Sequence, residues 1–228
     1  MPRSFATLTD DIITGAGTYT PPTTQSVSMW INGPTIDATA NRTFLSPNFA
    51  PFIGLPGNST FDLKYQRSYN TSDGIWTCTA ANHGATATNW NSIVWTYDGG
   101  ATSNNPLCYV NGVSKTVTIG SVPTGTLDVA TRAVCIGNQT AATSFAPGGQ
   151  IAYVGIYNVI LTQAEVDLIV RYGYQTRGLT NLWELYGSSP EPDVAGGLSG
   201  TVSGTAVTTD LPPIFTGAQN CLQSVGGR

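Results

Sequence analysis

Apolar and polar residues alternate along much of the chain with a period of two, a pattern typical of strands that bury one face. Within residues 93–97, Ile93, Trp95 and Tyr97 share one face of an extended chain. Stretches of this kind, separated by residues common in turns, predict ten strands: 26–31, 61–67, 74–79, 92–97, 107–110, 113–119, 133–136, 151–157, 180–185 and 198–202. The pattern therefore predicts an all-β protein.

The strongest local signal is a hairpin at Asn111-Gly112, which stands between two strand-like runs. Asn-Gly is the composition that a two-residue type I′ turn requires. We therefore expect a tight turn between residues 110 and 113.

One segment, residues 161–173, has the pattern of a helix. Thr162 and Glu165 have the spacing of a capping box, and Gly173 can adopt the left-handed conformation that ends helices. The apolar residues between them form a stripe that we expect to lie against the sheets.

The length of 228 residues suits a single sandwich. Residues 186–193 are rich in turn formers, and Pro212-Pro213 interrupts the chain again. The sequence predicts a sandwich over residues 1–177 and a C-terminal extension, residues 178–228, packed on it, because about fifty residues cannot build a core of their own.

Charge excludes two classes of partner. Only 10% of the residues are charged, against about 25% in an average domain, and the net charge is −4. Clustered cations that would bind nucleic acid or an anionic membrane surface are not seen.

No apolar run reaches the roughly 20 residues of a membrane-spanning helix, and residues 1–5 do not resemble a secretory signal.

The four cysteines, Cys78, Cys108, Cys135 and Cys221, have no C-x-x-C spacing, and His83 is the sole histidine. A zinc site is therefore not expected. Because the first three cysteines lie in strand-like runs, buried thiols are favoured over disulfides.

Seven short motifs follow one another in a characteristic order: 5–13 (FATLTDDII), 27–31 (VSMWI), 90–99 (WNSIVWTYDG), 109–112 (YVNG), 135–138 (CIGN), 148–158 (GGQIAYVGIYN) and 161–166 (LTQAEV). Together they resemble the laminin-G-like, concanavalin A-like jelly roll family over about residues 5–173. Residues 182–202 are similar to extra strands in phage-borne and environmental bacterial members. The resemblance implies a two-sheet antiparallel jelly-roll sandwich with one short helix and a C-terminal β extension, but no single function.

Catalysis is not expected. A retaining glycosidase on this fold needs two carboxylates about 5–5.5 Å apart on one strand face. The closest acid pairs are Glu165 with Asp167, on the predicted helix, and Glu191 with Asp193, in a loop. His83, in the polar loop 79–89, lacks the partners of a nucleophilic triad and is expected to be solvated.

Two kinds of binding site have weak candidates. Calcium would need several converging oxygen ligands, and the acidic and amide candidates are Asp10, Asp11, Asp98 and Asn138, with Asp193 a further acid. A sugar platform would need an exposed aromatic ring, for which Trp76 and Trp183 are candidates together with Tyr65 and Tyr69, and Asn82 and His83 could contribute from their loop. For each aromatic ring, packing in the sandwich is the favoured alternative, and the resemblance places Trp30, Trp90 and Trp95 in the core.

We first expect a non-enzymatic virion surface protein, such as a capsid decoration, cement or fibre component of a tailed phage. It would contact a major capsid protein, other virion proteins or copies of itself. The main alternative is an extracellular carbohydrate-binding lectin module, and a glycoside hydrolase on the same fold is the second alternative. Glycan adhesion is compatible with the virion role.

Overall fold

The computed structural model describes residues 2–6, 10–14, 19–36, 40–46, 52–139, 145–187 and 189–214. Within these ranges the strands are β1 Arg3–Ser4, β2 Asp11–Thr14, β3 Thr24–Asn32, β4 Arg42–Ser46, β5 Phe52–Leu55, β6 Leu63–Arg67, β7 Gly74–Cys78, β8 Asn91–Asp98, β9 Leu107–Val110, β10 Val113–Lys115, β11 Thr118–Ser121, β12 Cys135–Ile136, β13 Gln150–Tyr157, β14 Leu179–Trp183, β15 Gly200–Ser203 and β16 Ala206–Val207. The two helices are α1 Ala80–His83 and α2 Gln163–Tyr172. Neither described helix is long and apolar enough to cross a membrane.

The strands form two antiparallel sheets of eight strands each within the described residues. The first sheet has the order β10-β9-β8-β3-β13-β1-β16, and β14 also pairs with β13. The second sheet has the order β11-β7-β6-β5-β4-β12-β2-β15. This architecture confirms the two-sheet sandwich that the sequence predicts.

The core lies between the inner faces of the two sheets. Alternation in β3 places Val27, Met29 and Ile31 in this core, where they meet residues such as Trp95 and Trp76. Burial of these side chains supplies most of the favourable free energy of folding. The thiols of Cys78, Cys108 and Cys135 are buried, as predicted, whereas Cys221 lies outside the described residues.

Helix α2 begins where the sequence predicts. The Thr162 side chain accepts from the Glu165 N–H, and Glu165 Oε2 accepts from the Thr162 N–H at 2.8 Å, so the capping box is formed. Val166 and Ile169 are buried against the outer face of the first sheet. The predicted apolar stripe is thereby confirmed.

The hairpin is also confirmed. Asn111 has a φ of 51° and Gly112 a φ of 82°, as a type I′ turn requires at both positions. The prediction of one strand over residues 113–119 is wrong, because β10 pairs with β9 in the first sheet and β11 pairs with β7 in the second. The chain crosses between the sheets at residues 116–117.

Five strands are not among the ten predicted from the sequence: β1, β2, β4, β5 and β16. β1 and β16 have two residues each, too few for a periodic signal. All five residues of β4 are buried, including Arg42, so its pattern does not alternate. Helix α1, a single turn ending at Gly84, replaces part of the predicted polar loop.

Residues beyond 178 contribute strands to both sheets. β14 pairs with β13 and β16 with β1 in the first sheet, and β15 pairs with β2 in the second. Trp183 and Leu185 reach the core between the sheets. The division of the chain at residue 178 remains a prediction.

Candidate ligand-binding site

The aromatic candidates from the sequence are buried. Trp76 and Trp183 have no exposed surface, and their indole N–H groups donate to Asn105 Oδ1 at 2.9 Å and to the Leu198 carbonyl at 3.0 Å. These two rings pack in the sandwich, as the alternative interpretation predicts. Because neither ring reaches the protein surface, neither can serve as a sugar platform.

The two tyrosine candidates are buried as well. Tyr65 stacks on Trp95 with ring centroids 5.5 Å apart, and burial raises the pKa of Tyr65 to about 12. The Tyr69 hydroxyl lies 2.7 Å from the Tyr97 hydroxyl. Both rings belong to the interior.

The expectation that His83 is solvated is wrong. Its Nε2 donates to the Phe61 carbonyl at 2.7 Å, its Nδ1 accepts from the Ala85 N–H at 3.0 Å, and only 4% of the residue is exposed. Desolvation lowers the pKa of His83 and favours this neutral form. Asn82, beside it, is exposed and donates to the Thr116 carbonyl, so His83 is structural and the two side chains form no shared site.

Two of the calcium candidates flank one strand pair. β12 pairs with β2 so that Ile136 faces Ile12, and Asn138 and Asp10 each lie two residues along the chain from this pair. Both residues are buried. The side chain of Asp11 lies outside the described part of the structure.

Asp98 lies at the other end of the sandwich. It pairs with Thr24, the first residue of β3. Gly137, just before Asn138, packs instead on Phe5, which lies near Asn32, the last residue of β3. The candidates therefore do not form one group. Among the described residues, no three His, Cys, Asp or Glu side chains are placed to hold a metal ion.

The acid pairs are occupied by structural contacts. Asp193 accepts from the Leu182, Ala195, Gly196 and Leu198 N–H groups and from Asn181 Nδ2, and so organises its own loop. Glu191 accepts from Arg3 Nε at 2.8 Å. Hydrogen bonding to Arg177 and Thr162 lowers the pKa of Glu165 to about 2, while Asp167 accepts from Gln163.

The outer face of the first sheet holds a different set of polar and aromatic side chains. Trp30 faces Ser92 across β3 and β8. Asn32 and Trp90, each two residues along the chain from this pair, line one groove. We call these four residues the Trp30–Trp90 patch. The expectation that Trp30 and Trp90 lie in the sandwich core is wrong, because alternation places Trp30 opposite Met29 and Ile31, and Trp90 is only partly buried. Trp95 does lie in the core.

Each residue of the patch carries a buried polar atom that has no hydrogen-bond partner in the described structure: Trp30 Nε1, Asn32 Oδ1, Trp90 Nε1 and Ser92 Oγ. Two of these atoms are donors, one is an acceptor, and the serine hydroxyl can act as either. Leaving such groups unpaired costs about 1–3 kcal/mol each. Four of the eleven such atoms in the described structure lie in this patch, which makes it a candidate for contact with polar groups from outside the sheet.

The C-terminal strap, residues 208–214, crosses this face. Asn32 Nδ2 donates to Asp210 Oδ2 at 2.8 Å, Gln150 Nε2 donates to Thr208 Oγ1 at 3.0 Å, and Ile214 packs against the Trp30 cluster. The strap shields the patch. It is held by few contacts, and the side chains of Asp210 and Leu211 are exposed.

Two open grooves meet at Pro213 of the strap. One, of about 380 Å³, is lined by Asn32, Thr88, Asn89, Trp90, Asp210, Leu211 and Pro213. The other, of about 410 Å³, lies between the hairpin tip and helix α2 and is lined by Asn111, Gly112, Val113, Asp167, Val170, Arg171 and Pro213. Both have the polar and apolar mixture of a ligand-binding surface.

Tyr153 borders the patch with a strained backbone. Its φ of 51° falls where β13 bulges against β3, and its ring packs on Gly173. Its hydroxyl lies 3.2 Å from that of Tyr186, which is 48% exposed. Burial raises the pKa of Tyr153, so this pair remains neutral and offers hydroxyl groups at the edge of the surface.

Residues 6–167 match the family model Laminin_G_3, described as the concanavalin A-like lectin/glucanases superfamily. The chain belongs to this superfamily. The match covers β2 to β13 and the first half of helix α2, and it confirms the resemblance seen in the sequence motifs. No curated protein matches the chain.

Several solved structures share the fold of this chain at low sequence identity. One is a protein from Bacteroides ovatus described as a candidate carbohydrate-binding protein, with a TM-score of 0.66 and 16% identity over 93% of this chain. This chain covers 61% of that protein. Another is the heptameric SAP-like pentraxin of Limulus polyphemus, with a TM-score of 0.56 and 13% identity over 90% of this chain and 93% of that one. The virion interpretation is not tested by these comparisons.

Proposed function

We propose that this protein is a non-enzymatic carbohydrate-binding module and that the Trp30–Trp90 patch, with the groove beside Trp90, receives the sugar. The observation that carries the proposal is the group of four polar atoms without partners on one face of the first sheet. A hydroxyl group both donates and accepts, so neighbouring hydroxyls of one sugar can satisfy the two indole donors and the Asn32 oxygen together.

The shape and composition of the groove support the same ligand. The partly exposed indole of Trp90 offers an apolar surface, and Asn32 and Asn89 flank it with amide groups. A sugar ring presents apolar C–H groups on one face and hydroxyls at its rim, which this arrangement complements. The description of the Bacteroides ovatus protein is consistent with the proposal.

The absence of catalysis is part of the proposal. Hydrolysis would need a pair of carboxylates free to act on the sugar. The acids considered from the sequence, Glu165, Glu191 and Asp193, are instead engaged by Arg177, Arg3 and backbone N–H groups. Location on a virion or in the extracellular space remains a prediction, and the binding proposal depends on neither.

The proposal is tested by applying the full-length protein to an array of defined oligosaccharides and measuring the best binder by titration calorimetry. We expect specific binding to a restricted set of glycans and a loss of affinity of at least about 10-fold in Trp90→Ala. Tyr172→Ala is the matched control, because Tyr172 is a 45% exposed aromatic residue that lines neither groove.

Two results would overturn the proposal: no array binding above background, or equal affinity in wild type and Trp90→Ala. Repeating the titration with a calcium chelator tests whether binding depends on a metal ion. We expect binding to survive, because Asp210 is the single acidic residue described beside the patch.

A further inference from the structure

The Trp30–Trp90 patch is bonded directly to the second groove. The Ser92 N–H donates to Asn111 Oδ1 at 2.9 Å, and the Ser92 carbonyl accepts from the Asn111 N–H at 2.9 Å. Ser92 belongs to the patch. Asn111 lies at the hairpin tip and lines the second groove, which we call the hairpin–helix groove: Asn111, Gly112, Val113, Asp167, Val170, Arg171 and Pro213. The patch and this groove are therefore neighbouring parts of one surface.

One apolar cluster lies beneath both grooves. Trp90 of the first groove and Val170 of the hairpin–helix groove both pack against the cluster that contains Trp30. Ile214, at the end of the strap, packs on the same cluster, and Pro213 beside it lines both grooves. The end of the strap thus lies between two grooves that rest on the same apolar side chains.

This end of the strap is held by apolar contact. Within the described structure, the one hydrogen bond of residues 211–214 runs from the Ile214 N–H to the Pro212 carbonyl at 2.8 Å, inside the strap itself. Pro212 is buried and Ile214 packs on the cluster. A ligand can therefore displace residues 211–214 without breaking a hydrogen bond between them and the sheet.

The hairpin–helix groove has polar groups that suit a sugar. Asp167 Oδ1 accepts from Gln163 Nε2 at 2.8 Å, and the Arg171 guanidinium, one helical turn further on, has no hydrogen bond or ion pair within the described structure. A carboxylate accepts and a guanidinium donates, so the two side chains can bind neighbouring hydroxyls of one sugar. Val170 and the 56% exposed Val113 offer an apolar surface beside them.

Charge favours a neutral sugar. Among the residues that line the two grooves, Asp167 and Asp210 are acidic and Arg171 is the single basic one. The chain as a whole has a net charge of −4. An acidic polysaccharide would meet a carboxylate in each groove, whereas a neutral sugar meets donors and acceptors without repulsion.

We propose that the two grooves form one cleft for a linear, neutral oligosaccharide of at least three sugar units, which displaces the end of the strap. One unit lies beside Trp90, one takes the place of Ile214 over the cluster, and one lies between the hairpin and helix α2. Each groove alone, at about 380 and 410 Å³, is near the lower end of the roughly 300–1,000 Å³ of small-ligand sites. This inference rests on the proposed function and extends it from one sugar to a chain.

Chain length should then control affinity. A short sugar that occupies only the groove beside Trp90 gains no contacts in the hairpin–helix groove to offset the displacement of Ile214. A longer chain makes both sets of contacts at once, and the second set forms at the high effective concentration that the first provides.

The test is titration calorimetry of the full-length protein with malto-, cello-, xylo- and manno-oligosaccharides of one to six units. In the series that binds, we expect affinity to rise at least about 10-fold between two and four units. Arg171→Ala should weaken tetrasaccharide binding by about 5- to 10-fold and leave disaccharide binding unchanged. Leu168→Ala is the matched control, because Leu168 is an exposed residue of the same helix that lines neither groove.

Ile214→Ala tests the displacement of the strap. Loss of the side chain that covers the cluster should tighten tetrasaccharide binding by about 2- to 5-fold, because less apolar contact must be broken. Weaker tetrasaccharide binding in this variant would contradict the displacement and overturn the proposed cleft.

Two further results would overturn the cleft while leaving the sugar site beside Trp90 intact. One is an affinity that does not change with chain length, and the other is an equal effect of Arg171→Ala on disaccharide and tetrasaccharide. Tighter binding of tetragalacturonate than of any neutral tetrasaccharide would overturn the assignment to neutral sugars. Absence of binding in every series and on the glycan array would overturn the proposed function, and this inference with it.

Discussion

Arg3 Nε donates to Glu191 Oε2 at 2.8 Å, and the two side chains are only 4% and 1% exposed. This buried ion pair joins the first strand to a residue that bridges with Gly200, next to the start of β15. Arg3 also donates to Thr205 Oγ1 at 2.9 Å. This guanidinium group therefore reinforces the pairing of β1 with β16, which joins the early and late parts of the described chain.

Removal of the carboxylate should be strongly destabilising. Glu191→Ala leaves the Arg3 charge buried without its partner, and we expect a loss of about 3–5 kcal/mol in urea unfolding. Arg3→Met combined with Glu191→Met should lose less than either single replacement by alanine, because neither charge of this pair is then left in the interior without the other. Equal losses in all three variants would show that the ion pair itself is not responsible.

The hairpin turn gives a second prediction. Gly112 has a φ of 82°, a conformation that β-branched residues resist, so Gly112→Val should cost about 1–2 kcal/mol and lower the melting temperature by several degrees. Ser114→Val, at an exposed position in β10, is the control and should have little effect. An unchanged melting temperature in Gly112→Val would contradict the turn assignment.

The capping box of helix α2 gives a third prediction. Thr162→Ala removes the side chain that accepts from the Glu165 N–H, and we expect a loss of about 0.5–2 kcal/mol by thermal or urea unfolding. Thr176→Ala, an exposed threonine outside the helix, serves as control. A loss as large in the control would indicate a general effect of threonine removal.

The same box predicts an acid transition. Hydrogen bonding to Arg177 lowers the pKa of Glu165 to about 2 from 4.5, so its stabilising contribution is present above about pH 4.5 and is lost as the pH falls towards 2. Glu165→Gln should flatten this part of the stability profile. The profile of the variant would match the wild type if Glu165 contributed nothing.

His83 predicts a loss of stability at mildly acidic pH. Desolvation lowers its pKa in the folded state from 6.5, so the unfolded chain binds the proton more readily. Stability is then complete above about pH 6.5 and falls as the pH drops below that value. We expect the urea midpoint of the wild type to decrease between pH 7.5 and pH 5, and His83→Gln to show a smaller decrease. An equal decrease in both would assign the effect to other groups.

The strap should compete with the sugar. Asp210→Ala removes the acceptor that holds Asn32 Nδ2, and we expect a gain in glycan affinity of about 2- to 10-fold together with greater acrylamide quenching of tryptophan fluorescence. Thr209→Ala, beside it in the strap, should change neither. Weaker binding in Asp210→Ala would instead place Asp210 among the groups that contact the sugar.

The sequence was most informative where a local rule decides the structure. Asn111-Gly112 and the Thr162–Glu165 spacing each specify a turn or a helix start through their own backbone requirements, and both were correct. β4 and β5 were missed because burial on both faces removes alternation. Tertiary pairing, which single-sequence periodicity does not report, decides such strands.

The site was harder to predict for a similar reason. Alternation in β3 already places Trp30 and Asn32 on the face opposite Met29, so the outer location was readable in principle. Their contact with Trp90 and Ser92 depends on the register between β3 and β8. Shielding by the strap depends on a contact between two residues that are more than 170 positions apart in the sequence. Neither relation leaves a local trace in the sequence.

The pairing of β1 with both β13 and β16 has a consequence for the order of folding. Arg3 pairs with Ile151 in β13 and with Val207 in β16, so this two-residue strand depends on partners about 150 and 200 positions away. Such distant pairing slows folding. We therefore expect this part of the first sheet to close late, after the local hairpins have formed.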